Sequence, residues 1–160
     1  MSRDLAAKIV GLLTERQQTL AVAESLTGGL LGAAITDIAG ASVVFRGGII
    51  AYATELKAAL LGVPAGLLAA RGPVHPEVAA AMAAGARDRL GATFGVATTG
   101  VAGPDPADGK PPGTVHIAVS AGPVPVTRAL ALAGGRDEVR RDTVEEALGL
   151  FWSVLREEGP

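Results

Sequence analysis

Apolar positions along the chain follow two rhythms in turn. Ser2 followed by Leu5, Ile9, Leu12 and Leu13 has helical spacing and predicts a helix to about Gln17, with Ser2 as its N-cap. Thr19 to Ala23 is an uninterrupted apolar run of strand length, and Leu30 to Ile38 returns to helical spacing. Val43 to Ala53 is β-branched and apolar but broken by Gly47-Gly48, which predicts one long strand with a bulge or a close backbone approach at its middle. Thr54 is placed to cap a short helix. Pro64 and Pro76 suit first helical turns, predicting helices over about 65–70 and 76–90, the second rich in alanine and suited to close packing. Ala92 to Thr98 reads as a strand ending in the Gly-rich turn Thr99 to Asp105, the polar stretch from Asp105 to Pro112 as a loop, and Val115 to Ser120 with Val124 to Leu132 as a hairpin across Ala121-Gly122-Pro123. A last helix spans about 137–155, with Val144, Leu148, Phe151, Trp152 and Leu155 on one stripe.

Helices alternating with strands in the first half imply parallel pairing with helices on both faces, and the late hairpin adds an antiparallel strand. The fold class expected is α/β: one domain over residues 1–160, a three-layer α/β/α sandwich with a mixed, mostly parallel sheet. In such sheets ligands gather beyond the strand ends, so the Gly-rich turns after Ala23 and after Thr98 are expected on one rim.

Composition narrows the chemistry. The 160 residues include 31 Ala and 22 Gly, and 49% are hydrophobic, which excludes disorder. Fourteen basic against 16 acidic residues, with five aromatic side chains, leave little to grip phosphate backbones or stack bases, so nucleic acid is not an expected partner. The absence of cysteine removes thiolate nucleophiles and Cys-ligated zinc. His75 and His116 stand apart and no ligand cluster has convincing spacing, so no metal is assigned. The N-terminal residues do not have a signal-peptide pattern, and no apolar run approaches the length of a membrane span, so no membrane association and a cytoplasmic location are expected.

The stretch Ser25 to Gly29 fits neither the phosphate-binding P-loop nor the dinucleotide GxGxxG pattern. It offers two hydroxyls, Ser25 and Thr27, beside Gly28 and Gly29 where a helix begins, a setting for an anion or a developing oxyanion; a plain helix cap explains the hydroxyls equally well. Lys57 shares a helical face with Leu60 and Leu61, so burial could depress its pKa toward that of a general base, against the commoner surface lysine. Tyr52 ends the preceding strand and could orient a ligand ring or be a buried strand residue. Arg136 and Arg140 lie one turn apart at the start of the last helix, where cations oppose the helix dipole; a bound phosphate or pairing with Asp137 or Glu138 would each account for them.

Taken in order, Ala23-Glu24-Ser25-Leu26-Thr27-Gly28-Gly29, residues 36–42, Phe45-Arg46-Gly47-Gly48, Ala51-Tyr52, Lys57, Leu61-Gly62-Val63, Thr99-Gly100-Val101-Ala102-Gly103-Pro104-Asp105, Pro112-Gly113-Thr114-Val115 and Arg136 with Val139-Arg140-Arg141 resemble the C-terminal domain of the CinA family. Leu26 stands where that family commonly has cysteine, Ala41 replaces the first of a frequent serine pair, and Gly135 replaces an aspartate. The resemblance implies an anticodon-binding-domain-like sandwich and hydrolysis of nicotinamide mononucleotide to nicotinate mononucleotide and ammonia, without a cofactor. It further implies a relay of Ser25, Ser42 and Lys57, with Ser42 favoured as attacker because capping would occupy Ser25. Tyr52 would orient the amide. Thr27, Gly28, Gly29, Thr99, Gly100 and Gly103 would surround the substrate, and Arg136 and Arg140 would take its phosphate. Direct attack by water and a non-catalytic nucleotide- or protein-binding module are the competing readings. The Ala/Gly-rich, weakly charged surface suggests a homodimer.

Overall fold

The computed structural model describes residues 1–159. In chain order the elements are α1 (Ser2–Arg16), β1 (Leu20–Glu24), α2 (Leu30–Thr36), a short 3-10 turn (Ala41–Val43), β2 (Phe45–Ile50), α3 (Thr54–Leu61), α4 (Ala65–Arg71), α5 (Pro76–Leu90), β3 (Phe94–Gly100), β4 (Thr114–Ser120), β5 (Val126–Ala131) and α6 (Arg136–Glu157). The five strands form one sheet in the order β2-β1-β3-β4-β5. β1 pairs in parallel with β2 and β3, while β4 is antiparallel to both β3 and β5. Four strands therefore share one direction, and β4 alone runs against them. The mixed, mostly parallel three-layer sandwich expected from the alternation of elements is the fold observed.

The two faces of the sheet differ because neighbouring residues on a strand point to opposite sides. Leu20 and Val22 of β1, with Phe94, Val96, Ile117 and Val119, meet α1, α2 and α6 in a core of large side chains. Phe94 and Phe151 pack edge to face there, their ring centroids 5.3 Å apart. On the other face Ala21, Ala23, Ala97 and Ala118 meet α5 and Leu61 of α3 through little more than methyl groups. The backbones come so close that a Cβ on Gly95 would collide with the Ala83 carbonyl, and one on Gly85 with the Leu61 carbonyl. The alanine-rich helix packs closely, as its composition suggests.

Several local expectations are corrected. Met1, not Ser2, is the N-cap of α1, and the Ser2 N–H donates to Glu145 at 2.7 Å instead. Thr54 is the first residue of α3 rather than its cap. The long strand is interrupted at its start: the chain turns through Ala41–Val43, and β2 begins at Phe45. Its irregularity falls at Arg46, since Leu20 and Ala21 pair with Phe45 and Gly47; at Gly48 a Cβ would meet the Val22 side chain, the close approach anticipated. Trp152 is half-buried, whereas the other four residues of its stripe lie in the core. No helix among the described residues is long and apolar enough to cross a membrane.

β1, β2 and β3 end on the same rim, so the segments after them, Ser25 onward, Ala51-Tyr52 and Val101 onward, are neighbours. The Ser25 N–H donates to the Thr98 carbonyl at 3.1 Å, and the Thr27 and Thr98 hydroxyls share a buried hydrogen bond of 2.8 Å. Because the α5 face has no slack, Gly95→Ala is expected to lower stability by about 1–3 kcal/mol, measured as a reduced midpoint in urea.

Candidate active site

Lys57 has a fully buried side chain, 1% exposed, although its sequence surroundings equally suited a surface lysine. It sits on α3 with Leu61 on the same face; Leu60, expected beside it, turns to solvent. Its Nζ lies 2.9 Å from Ser25 Oγ, 2.7 Å from the Ala51 carbonyl oxygen and 3.4 Å from that of Tyr52. Burial pushes its pKa down from the usual lysine value to about 8, against a weaker upward pull from Glu55. As an ammonium it donates to all three oxygens. As a neutral amine it keeps two N–H bonds for the carbonyls and aims its lone pair at Ser25, whose O–H then donates to it.

Ser25 is buried and does not cap α2. Gly29 occupies the cap position, and the Glu24 carboxylate accepts from the N–H groups of Leu31 at 2.8 Å and Gly32 at 3.1 Å. The Ser25 hydroxyl is therefore free to serve Lys57, which removes the ground for favouring Ser42. Ser42 is exposed on the 3-10 turn ahead of β2. That turn is at the opposite end of the sheet, since Ile50, not Phe45, pairs with Glu24. A strand of this length spans about 20 Å, so Ser42 cannot reach the Lys57 amine of its own chain.

The serine–lysine pair opens into a cavity of about 420 Å³. Its walls include Leu26, Tyr52, Val74, Gly100, Asp105 and Arg136, so both Gly-rich turns contribute. A larger cleft of about 730 Å³ between α2 and α6 is bordered by Asp37, Arg141, Asp142 and Glu145 and holds no buried nucleophile. Tyr52 is 60% exposed at the cavity mouth, not buried in a strand, and its hydroxyl accepts from Arg136 at 3.2 Å. Arg136 also donates to the Gly103 carbonyl at 2.6 Å. Thr99 lines the cavity but donates its hydroxyl to the Pro73 carbonyl at 2.7 Å, and the Thr27 hydroxyl is engaged by Thr98. Gly28 and Gly29 adopt positive φ of 55° and 107° in the turn. The N–H groups of Leu26 and Thr27, in the same turn, donate to no group among the described residues.

Arg140 does not line the cavity. Its Nε donates to the Leu26 carbonyl at 2.9 Å and its Nη2 to that of Thr27 at 3.2 Å, which corrects its assignment to phosphate. Neither arginine pairs with Asp137 or Glu138, since the ion pairs among the described residues are Lys110–Asp108 and Arg128–Glu146. Glu24 was visible in the sequence only as part of a motif. A carboxylate ahead of a Gly-rich turn that opens a helix is the signal for its anchoring role.

The CinA C-terminal domain family model matches residues 2–155. The chain belongs to this family. A CinA-like protein from Frankia casuarinae is 57% identical over 151 residues, covering 94% of this chain and 35% of its own length. The chain thus spans about a third of the length of the curated relatives it matches. The competence/damage inducible protein CihA from Agrobacterium tumefaciens superposes with a TM-score of 0.92 at 37% identity, over 97% of this chain and 95% of that one. A CinA superfamily protein from Klebsiella pneumoniae gives 0.94 at 28% identity, over 98% and 99%.

Within this CinA domain the Glu24 carboxylate is the only side chain among the described residues that accepts hydrogen bonds from the start of α2. Glu24→Leu would strand the buried Leu31 N–H and the half-buried Gly32 N–H and is expected to cost about 2–4 kcal/mol, read as a lowered thermal midpoint.

Proposed function

We propose that the domain hydrolyses the carboxamide of nicotinamide mononucleotide to nicotinate mononucleotide and ammonia, with Ser25 as nucleophile and Lys57 as general base and acid. The observation that carries this reading is the buried Lys57 amine 2.9 Å from a serine hydroxyl with no other task, at the floor of a cavity of small-ligand size. The family membership adds support, since the substrate is the one that the CinA resemblance implies.

Neutral Lys57 takes the Ser25 proton as Oγ attacks the carboxamide carbon, and the C=O electron pair moves onto oxygen. The Leu26 N–H, next to the nucleophile and unpartnered, is the candidate oxyanion donor, with Thr27 N–H beside it. The resulting ammonium gives its proton to the departing nitrogen as the C–N bond breaks, leaving an ester on Ser25 and free ammonia. Water, deprotonated by the same amine, then cleaves the ester to the carboxylate and restores the serine. Arg136 at the cavity mouth is assigned to the substrate phosphate, and Tyr52 to the face of the pyridinium ring. A cytoplasmic setting and a homodimer complete the proposal. For the dimer, the support is the open edge of β2 with Val43 and Ile50 exposed beside it, and a solution mass of twice the chain's by light scattering is the expected result.

Ammonia release from nicotinamide mononucleotide is the direct test, and a wild-type protein that binds the nucleotide without releasing ammonia would refute hydrolysis. Lys57→Met and Ser25→Ala are expected to lose turnover by at least about a thousandfold with the fold retained, while Ser42→Ala keeps it. An acyl-enzyme trapped on Ser25 would identify the nucleophile, and its absence in single-turnover mass spectra would favour direct water attack. Because the working form of Lys57 is the neutral amine and its pKa lies at about 8, kcat/KM should climb about tenfold per pH unit below that value and level off above it.

A further inference from the structure

Arg140 lies outside the cavity yet makes two of the few side-chain contacts to the turn that carries Ser25. The turn itself has little to hold its shape. Gly28 and Gly29 contribute no side chains, the Glu24 carboxylate reaches only the α2 N–H groups beyond the turn, and the Thr27 hydroxyl is turned away to Thr98. A trans peptide is planar, with its C=O and the following N–H pointing in opposite directions. Holding the Leu26 carbonyl therefore directs the Thr27 N–H away from α6. Holding the Thr27 carbonyl likewise directs the Gly28 N–H, which donates to the Ser25 carbonyl at 3.0 Å and closes the turn. The guanidinium is planar and presents its Nε and Nη2 donors side by side, so it matches two successive carbonyls as an ammonium does not. A Cβ at Gly28 would sit 3.4 Å from Arg140 Nη2, so the guanidinium lies directly against the glycine.

We infer that Arg140 is a positioning residue that clamps the nucleophile turn, setting the peptide planes on either side of Thr27 and through them Ser25 and the oxyanion donors. The consequence for catalysis rests on the amidase reading above; the clamp itself does not. Arg136 and Arg140, one turn apart on α6, thus have separate tasks, the first facing the ligand and the second facing away from it.

The test compares wild type, Arg140→Ala and Arg140→Lys on nicotinamide mononucleotide and on nicotinamide riboside, which lacks the phosphate. A clamp predicts that kcat falls about 100-fold in Arg140→Ala, in the same proportion for both substrates, with KM within about twofold. Arg140→Lys recovers little, and millimolar guanidinium partly restores Arg140→Ala. A KM raised for the phosphorylated substrate alone would instead make Arg140 a phosphate ligand and overturn the inference, as would full activity in Arg140→Lys. Amide hydrogen exchange at Gly28 and Leu30, whose N–H groups donate to the Ser25 and Thr27 carbonyls, reads the clamp without any substrate: faster exchange there in Arg140→Lys, with the rest of the chain unchanged, is expected, and unchanged exchange would refute it. Should wild type deamidate neither substrate, the function proposed fails while the exchange result still decides the clamp.

Discussion

The Lys57 amine lies buried at the floor of the cavity with three oxygens for partners and no carboxylate among them, and much of the local architecture serves to keep those oxygens where they are. A buried ammonium without a counter-ion is costly, so the proton is held loosely and the amine becomes a base in the neutral range. Two of the oxygens are carbonyls of Ala51 and Tyr52, left free of strand pairing just past the end of β2. The third is the hydroxyl of Ser25, just past the end of β1. Adjacent parallel strands ending on one rim bring these groups together, and α3, the element that follows β2, folds back to deliver the amine.

The thin face of the sheet makes that delivery possible. Alanines on β1, β3 and β4 allow α5 to settle almost onto the backbone, and Gly85 in turn admits the Leu61 carbonyl of α3. Larger side chains on these strands would lift α5 and α3 together and draw Lys57 away from Ser25. The abundance of alanine is thus bound to the chemistry through distance. The opposite face, packed with Leu, Ile, Val and Phe around α1, α2 and α6, supplies most of the large buried apolar surface.

Between these two layers the turn after β1 is held from outside itself. Glu24 takes the N–H groups of Leu31 and Gly32 in α2 and Arg140 takes the carbonyls of Leu26 and Thr27, so groups of opposite charge hold the segment at its two ends and leave the Leu26 and Thr27 N–H groups free. Arg136, a turn earlier on α6, ties the second Gly-rich segment through Gly103. One helix therefore registers the two turns against each other.

Periodicity and turn residues were enough to foretell the succession of helices and strands, the three layers and the shared rim, because these depend on local pattern and on the few ways a parallel sheet can be covered. Ser25 and Lys57 were each visible as candidates for the same reason, and the family resemblance joined them, with Ser42, in one relay. What the linear order could not settle was how each polar group spends its hydrogen bonds. Whether Ser25 caps a helix, whether Lys57 is buried and whether Arg140 meets an anion or two carbonyls depend on partners up to 114 residues away along the chain. Ser42 illustrates the limit: near Ser25 in sequence, it is carried to the far end of the sheet by the direction of β2. Local sequence sets which backbone states are accessible, but the pairing of buried polar groups is decided only when the layers close and exclude water.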